Sequence, residues 1–137
     1  AERPAGAHAP ILASDRDAGA VAAAQANARR AGVADDLAIT RGALSAIVAP
    51  GRAGLLVTNP PYGIRVSDRA PLHNLYAQIG NVVRRKLPGW RTALVSADVS
   101  LETRTGLPLT TVLAFSNGGI KVRLVATPPT AQSPSPH

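Results

Sequence analysis

Leu55-Leu56-Val57-Thr58-Asn59-Pro60-Pro61-Tyr62-Gly63 is the most informative run in the 137-residue chain. Four apolar or β-branched residues, Leu55 to Thr58, read as a short buried strand. Asn59 precedes a proline, which pushes its backbone towards an extended conformation. Pro60 and Pro61 have fixed φ and no N–H, so the loop is stiff and its carbonyls are available as acceptors. Tyr62 offers a flat ring, and Gly63 permits a sharp exit. The expectation is a rigid strand end carrying an amide, a carbonyl and an aromatic face.

Such a set suits an exocyclic amino group on a base. That nitrogen is a poor nucleophile because its lone pair is delocalised into the ring. The Asn59 side-chain oxygen and the Pro60 carbonyl are two acceptors that can hold its two N–H bonds and aim the lone pair outward. Tyr62 can stack on a base taken out of its helix. Positioning and fixed dipoles do the work, and no strong general base is needed. The competing reading is that Asn-Pro-Pro is only a turn. Its place directly after a strand favours the chemical one.

Asn59-Pro60-Pro61-Tyr62 resembles the catalytic motif of S-adenosylmethionine-dependent amino-group methyltransferases that act on nucleic acids. The flanks, from about Ile11 to about Ala126, resemble the RNA guanine-N2 branch, especially the enzymes of large-subunit ribosomal RNA. The four-residue motif is shared with adenine-N6 and glutamine methylases, so alone it does not fix the substrate. The resemblance implies a Rossmann-like α/β fold ending in an antiparallel β-hairpin. It assigns Asn59, Pro60, Pro61 and Tyr62 to catalysis. It implies S-adenosylmethionine as cofactor, held by Asp15 and Asn59.

Composition agrees with a polyanionic partner. The net charge is +7, from 15 basic and 8 acidic residues, nearly all of the basic ones arginine. Arginine matches phosphate well, although a GC-rich genome also over-uses arginine, alanine, glycine and proline. The length fits one domain. Cysteine is absent, which excludes disulfides and thiolate metal sites and is compatible with a reducing cytoplasm. His8 has no partner at ligand spacing, so no metal is expected. No apolar run approaches membrane-spanning length.

Residues 1–10 read as an irregular leader, 11–126 as a partial methyltransferase domain, and 127–137 as a disordered tail rich in proline, serine and threonine. Ile11 to Ser14 reads as a strand with Asp15 at its carboxyl end, where open α/β folds bind ribose hydroxyls. Asp17 is placed to cap a helix from about Ala18 to Ala31, stopped by Gly32. Leu37 to Thr40 reads as the next strand; Arg41-Gly42-Ala43-Leu44 then lacks the acidic residue that the family places against the donor's adenine.

Gly63 to Ala70 reads as a polar loop in which Arg65 and Arg69 are candidates to touch substrate phosphates, or simply a solvated loop. Leu72, Leu75, Tyr76, Ile79, Val82 and Val83 fall at helical spacing and mark an amphipathic helix ending in Arg84-Arg85-Lys86. Trp90 to Ser96 reads as a central strand, and Asp98 to Gly106 as a loop and short helix. Thr111 to Ser116 and Ile120 to Ala126 read as a hairpin around Asn117-Gly118, with Lys121 and Arg123 on a basic face.

The family's domain begins with a strand and a glycine-rich loop that receives the donor's methionine end. Ten residues before Ile11 cannot hold them, so the expectation is a domain truncated at its N-terminus. An upstream RNA-binding module, or the N-terminal half of the domain, is then expected on a longer protein, and the isolated chain is expected to be inactive. Two function classes follow. One is methyl transfer to an amino nitrogen of RNA, most simply guanine N2 of 23S-type rRNA, with an adenine-N6 DNA methylase or a protein glutamine methylase as the variants. The other is a non-catalytic RNA-binding fragment.

Overall fold

The computed structural model describes residues 8–62 and 69–129. The chain forms two units, Ala1–Pro50 and Gly51–His137.

In the first unit, β1 (Ile11–Asp15) pairs in parallel with β2 (Leu37–Arg41), and α1 (Ala18–Ala31) connects them. The helix has the ends its sequence encodes. The Asp17 carboxylate accepts from the Ala20 N–H at 3.0 Å, filling one of the donors a helix start leaves open. Gly32 adopts φ 74°, the left-handed turn that a glycine makes at least cost. Val21 and Ala28 are its buried residues. Every residue of β1 is exposed, including Ile11 and Leu12.

The second unit is a four-stranded sheet in the order β3-β4-β6-β5, where β3 is Leu55–Thr58, β4 Arg91–Ser96, β5 Thr110–Asn117 and β6 Ile120–Ala126. β3 runs parallel to β4; β6 runs antiparallel to both β4 and β5. Two helices, α2 (Arg69–Lys86) and α3 (Val99–Arg104), pack on one face. The core there is Leu72 and Tyr76 from α2, Leu94 from β4, Leu101 from α3 and Val125 from β6. These α2 positions belong to the helical stripe read from the sequence, and their burial is what fixes the helix on the sheet.

Three sequence expectations change. Leu55–Thr58 is an edge strand of its sheet, and Leu55 and Val57 are 54% and 61% exposed, so it is not a buried strand. The cause is its position: β3 has a partner on one side only, and Leu55 and Val57 point to the face opposite α2, as the register with Arg91 and Ala93 requires. Arg69 lies in the first turn of α2 and not in a loop, and Arg65 falls outside the described residues. Arg123 does not form a free basic face with Lys121. It shares the helix-covered face with Val125 and pairs with the buried Glu102 of α3, which also accepts from the Ser96 hydroxyl at 2.7 Å. An acid nine-tenths buried needs such a counter-charge.

Two glycines make room for close packing. The Trp90 ring lies against Gly54, and its indole N–H donates to the Gly51 carbonyl at 3.1 Å, which accounts for glycines just before β3. Gly80 sits mid-helix in α2 where the Thr105 carbonyl at the end of α3 crosses, closer than any side chain would allow. Alanine in place of a mid-helix glycine ordinarily stabilises by about 1 kcal/mol. Gly80→Ala is expected to do the reverse, costing at least about 2 kcal/mol through overpacking against backbone, as read from the urea midpoint.

Candidate active site

Asn59, Pro60, Pro61 and Tyr62 follow the carboxyl end of β3 directly. In open α/β sheets ligands bind at the carboxyl ends of strands. Asn59 is exposed, so its side-chain amide is open to a ligand. Pro60 is buried and Pro61 exposed, which seats the corner by one ring. Tyr62 is half-buried.

Two contacts hold this corner. The Tyr76 hydroxyl of α2 donates to the Pro61 carbonyl at 3.1 Å. Tyr76 is fully buried, and burial, then the negative charges of Asp98 and Glu102 and the neighbouring Tyr62, pushes its phenol up to about 12. It therefore stays protonated and able to donate at any physiological pH. The second contact comes from the hairpin: the Asn117 side-chain amide donates to the Tyr62 hydroxyl at 3.3 Å.

Neither partner role was apparent from sequence. Tyr76 reads there only as part of an apolar stripe, and Asn117 only as a turn residue. A signal existed for the first: a buried tyrosine hydroxyl almost always needs a partner. Nothing local in the sequence links Asn117 to a tyrosine 55 positions away.

Nearby, Asp98 caps α3 and accepts from the Ser100 backbone and hydroxyl at 2.8 and 2.7 Å. The Ser100 hydroxyl bond holds its carboxyl below the usual carboxylate range. Asp98 is thus an ionised cap, suited to structure more than to proton transfer. Arg69 is exposed at the start of α2.

In the first unit, Asp15 ends β1 as expected and is exposed. Its Oδ1 accepts from the Asp17 N–H at 2.8 Å, which orients the carboxylate. The strand ends are stitched together behind it: the Gly42 N–H donates to the Asp15 carbonyl at 3.0 Å, and Arg41 Nε donates to the Arg16 carbonyl at 3.0 Å. Arg41 is thus used to tie down the loop.

Comparison with known proteins gives a consistent picture. Residues 1–125 match the family model UPF0020, described as an RMKL-like methyltransferase domain. The chain is similar to a ribosomal RNA large subunit methyltransferase K/L of Chromohalobacter salexigens, 34% identical over 125 residues, covering 89% of this chain and 17% of the relative. The protein of the same name from Syntrophotalea carbinolica is 35% identical over 119 residues, covering 84% of this chain and 17% of that one. Among solved structures, one described as a possible methylase from Clostridium difficile 630 superposes with a TM-score of 0.82 at 25% identity, covering 93% of this chain and 33% of that one. SMU.472 complexed with SAH gives 0.78 at 28% identity, covering 87% and 31%. The chain thus spans about a sixth of these curated relatives and about a third of these structures.

Tyr76→Phe removes the donor to Pro61 while keeping the ring. The Pro61 carbonyl then loses its partner in a part-buried place, and a loss of about 1–3 kcal/mol of stability is expected. Chemical denaturation checks it; an unchanged midpoint would mean the hydroxyl contact does not form.

Proposed function

This chain belongs to the UPF0020 family of RMKL-like methyltransferase domains, and from that premise we propose that it carries the amino-group acceptor corner of an S-adenosylmethionine-dependent RNA methyltransferase. Its α/β architecture is the Rossmann-like methyltransferase fold, closed by the β5–β6 hairpin. The observation that carries the proposal is the exposed Asn59 on a proline corner at the carboxyl end of β3, seated by Tyr76.

The Asn59 side-chain oxygen and the Pro60 carbonyl accept the two N–H bonds of the target amine. Holding both draws the nitrogen towards tetrahedral geometry and turns its lone pair outward. The stiffness of the two prolines means little reorganisation is needed at that moment. Tyr62 stacks on the base. Asp15, exposed with one oxygen fixed by Asp17, suits a ribose diol and is proposed to hold the ribose of the cofactor. S-adenosylmethionine, when bound, supplies the electrophilic methyl group.

RNA is the proposed substrate, with guanine N2 of 23S-type rRNA as the specific target. The names of the relatives support rRNA. Charge supports a polyanion: residues 51–137 hold ten basic against three acidic side chains, and residues 1–50 five against five, so the whole +7 belongs to the unit with the proline corner. Arg69, exposed on α2, and Arg65 are proposed to meet phosphates. The place of action is proposed to be the cytoplasm. No helix among the described residues is long and apolar enough to cross a membrane.

The charge alone would also serve an RNA-binding piece without catalysis. One comparison separates the readings. In its full gene context, the protein is offered rRNA, duplex DNA and a glutamine-containing peptide with labelled donor. Methylation of rRNA is expected, and Asn59→Ala should lower turnover by at least about a hundredfold, the scale for losing a fixed oxyanion-type contact, with the unfolding midpoint unchanged. Full turnover in that variant would remove the proposed chemistry, and RNA binding with no transfer at all would leave the non-catalytic reading.

A further inference from the structure

The sequence assigns Asn117 to a turn, but the backbone does not need it there. The two residues between β5 and β6 are Gly118 and Gly119, at φ 59° and 82°, and no non-glycine residue among those described has positive φ. That is the two-residue hairpin with both central positions left-handed. Asn117 is the last ladder residue of β5, opposite Ile120. Asparagine is a poor strand former, and threonine or valine would suit the position better. Its side chain instead reaches Tyr62, the far end of the proline corner, and donates to the phenol oxygen at 3.3 Å.

We propose that Asn117 is a positioning residue for Tyr62, setting the plane of the ring on which the target base stacks. This rests on the reading of Tyr62 given above. The ring is joined to the stiff Pro60-Pro61 segment through two soft side-chain torsions. The prolines fix where the ring starts, and only a contact at its tip fixes how it is turned. Asn117 supplies that contact from the end of β5, where its backbone is paired with Ile120. The hydroxyl accepts from Asn117 and keeps its own proton to donate. An exposed hydrogen bond contributes little to stability, yet a small misplacement of a stacking surface can cost turnover heavily. The hairpin that closes the fold is thereby part of the site's geometry.

Asn117→Thr tests this, because threonine favours the strand and leaves the glycine turn intact. In the 137-residue chain labelled with 13C-tyrosine, the substitution should shift the Tyr62 ring resonances and leave the unfolding midpoint equal or higher. In the gene-context protein, Asn117→Thr and Tyr62→Phe should each lower kcat by about three- to tenfold with KM for RNA within about twofold. The double variant should be no worse than the poorer single one, because the two residues act through one contact. Unmoved Tyr62 resonances, a lowered midpoint, or additive losses in the double variant would each overturn the proposal. Moved resonances with no RNA methylation by the unsubstituted protein would instead locate the failure in the functional reading of Tyr62, and the positioning role would fall with it.

Discussion

The hydrogen bond from the Tyr76 hydroxyl to the Pro61 carbonyl is the contact that ties the proline corner to the core of the second unit. Prolines have no N–H to donate to a β-ladder; β3 ends at Thr58, just before them, and carbonyls beyond that end need other partners. Here the partner comes from the middle of α2. Tyr76 is at once a core residue, packed with Leu72, Leu94, Leu101 and Val125, and the donor that reaches out of the core to the corner. The same side chain that fastens the helix to the sheet also fastens the loop to the helix. Asn59 can remain exposed and still be held in place, because the rigidity is supplied one and two residues further on.

Local sequence rules reached far into the secondary structure and less far into the tertiary structure. The span of α1 and both its caps were legible in Asp17 and Gly32, because capping is a short-range matter of backbone donors and a left-handed turn. The stripe of α2 was legible because burial imposes its period. The apolar run Leu55–Thr58 identified a strand but not its place in the sheet. An edge strand and a central one have similar composition, and only pairing tells them apart. Arg123 looked like surface charge because its partner, Glu102, is 21 residues away on another element.

The candidate site shows the same division. Asn59 to Tyr62 was legible because the motif is contiguous and its stiffness is intrinsic to proline. Tyr76 and Asn117 were not, because each is joined to the corner only through the fold, at separations of 15 and 55 residues. Asn117 was moreover masked by a stronger local signal, since Asn-Gly reads as a turn even where the following Gly-Gly makes it. Charge adds a coarser clue. The net charge of +7 is a property of the whole composition, but its confinement to residues 51–137, where acids are scarce, becomes apparent only once the two units are separated.

The central claim is that a buried, protonated Tyr76 holds the proline corner in place. A 13C titration of the tyrosine Cζ carbons in the intact chain tests it most directly. Tyr76 is predicted to titrate near 12, above the ordinary value of 10.0. Because the folded-state value is the higher one, its contribution to stability should hold below pH 10 and be lost only as the pH climbs towards 12. A Tyr76 resonance titrating near 10 would put the hydroxyl in water, break its bond to Pro61, and leave Asn59 on an unsupported loop.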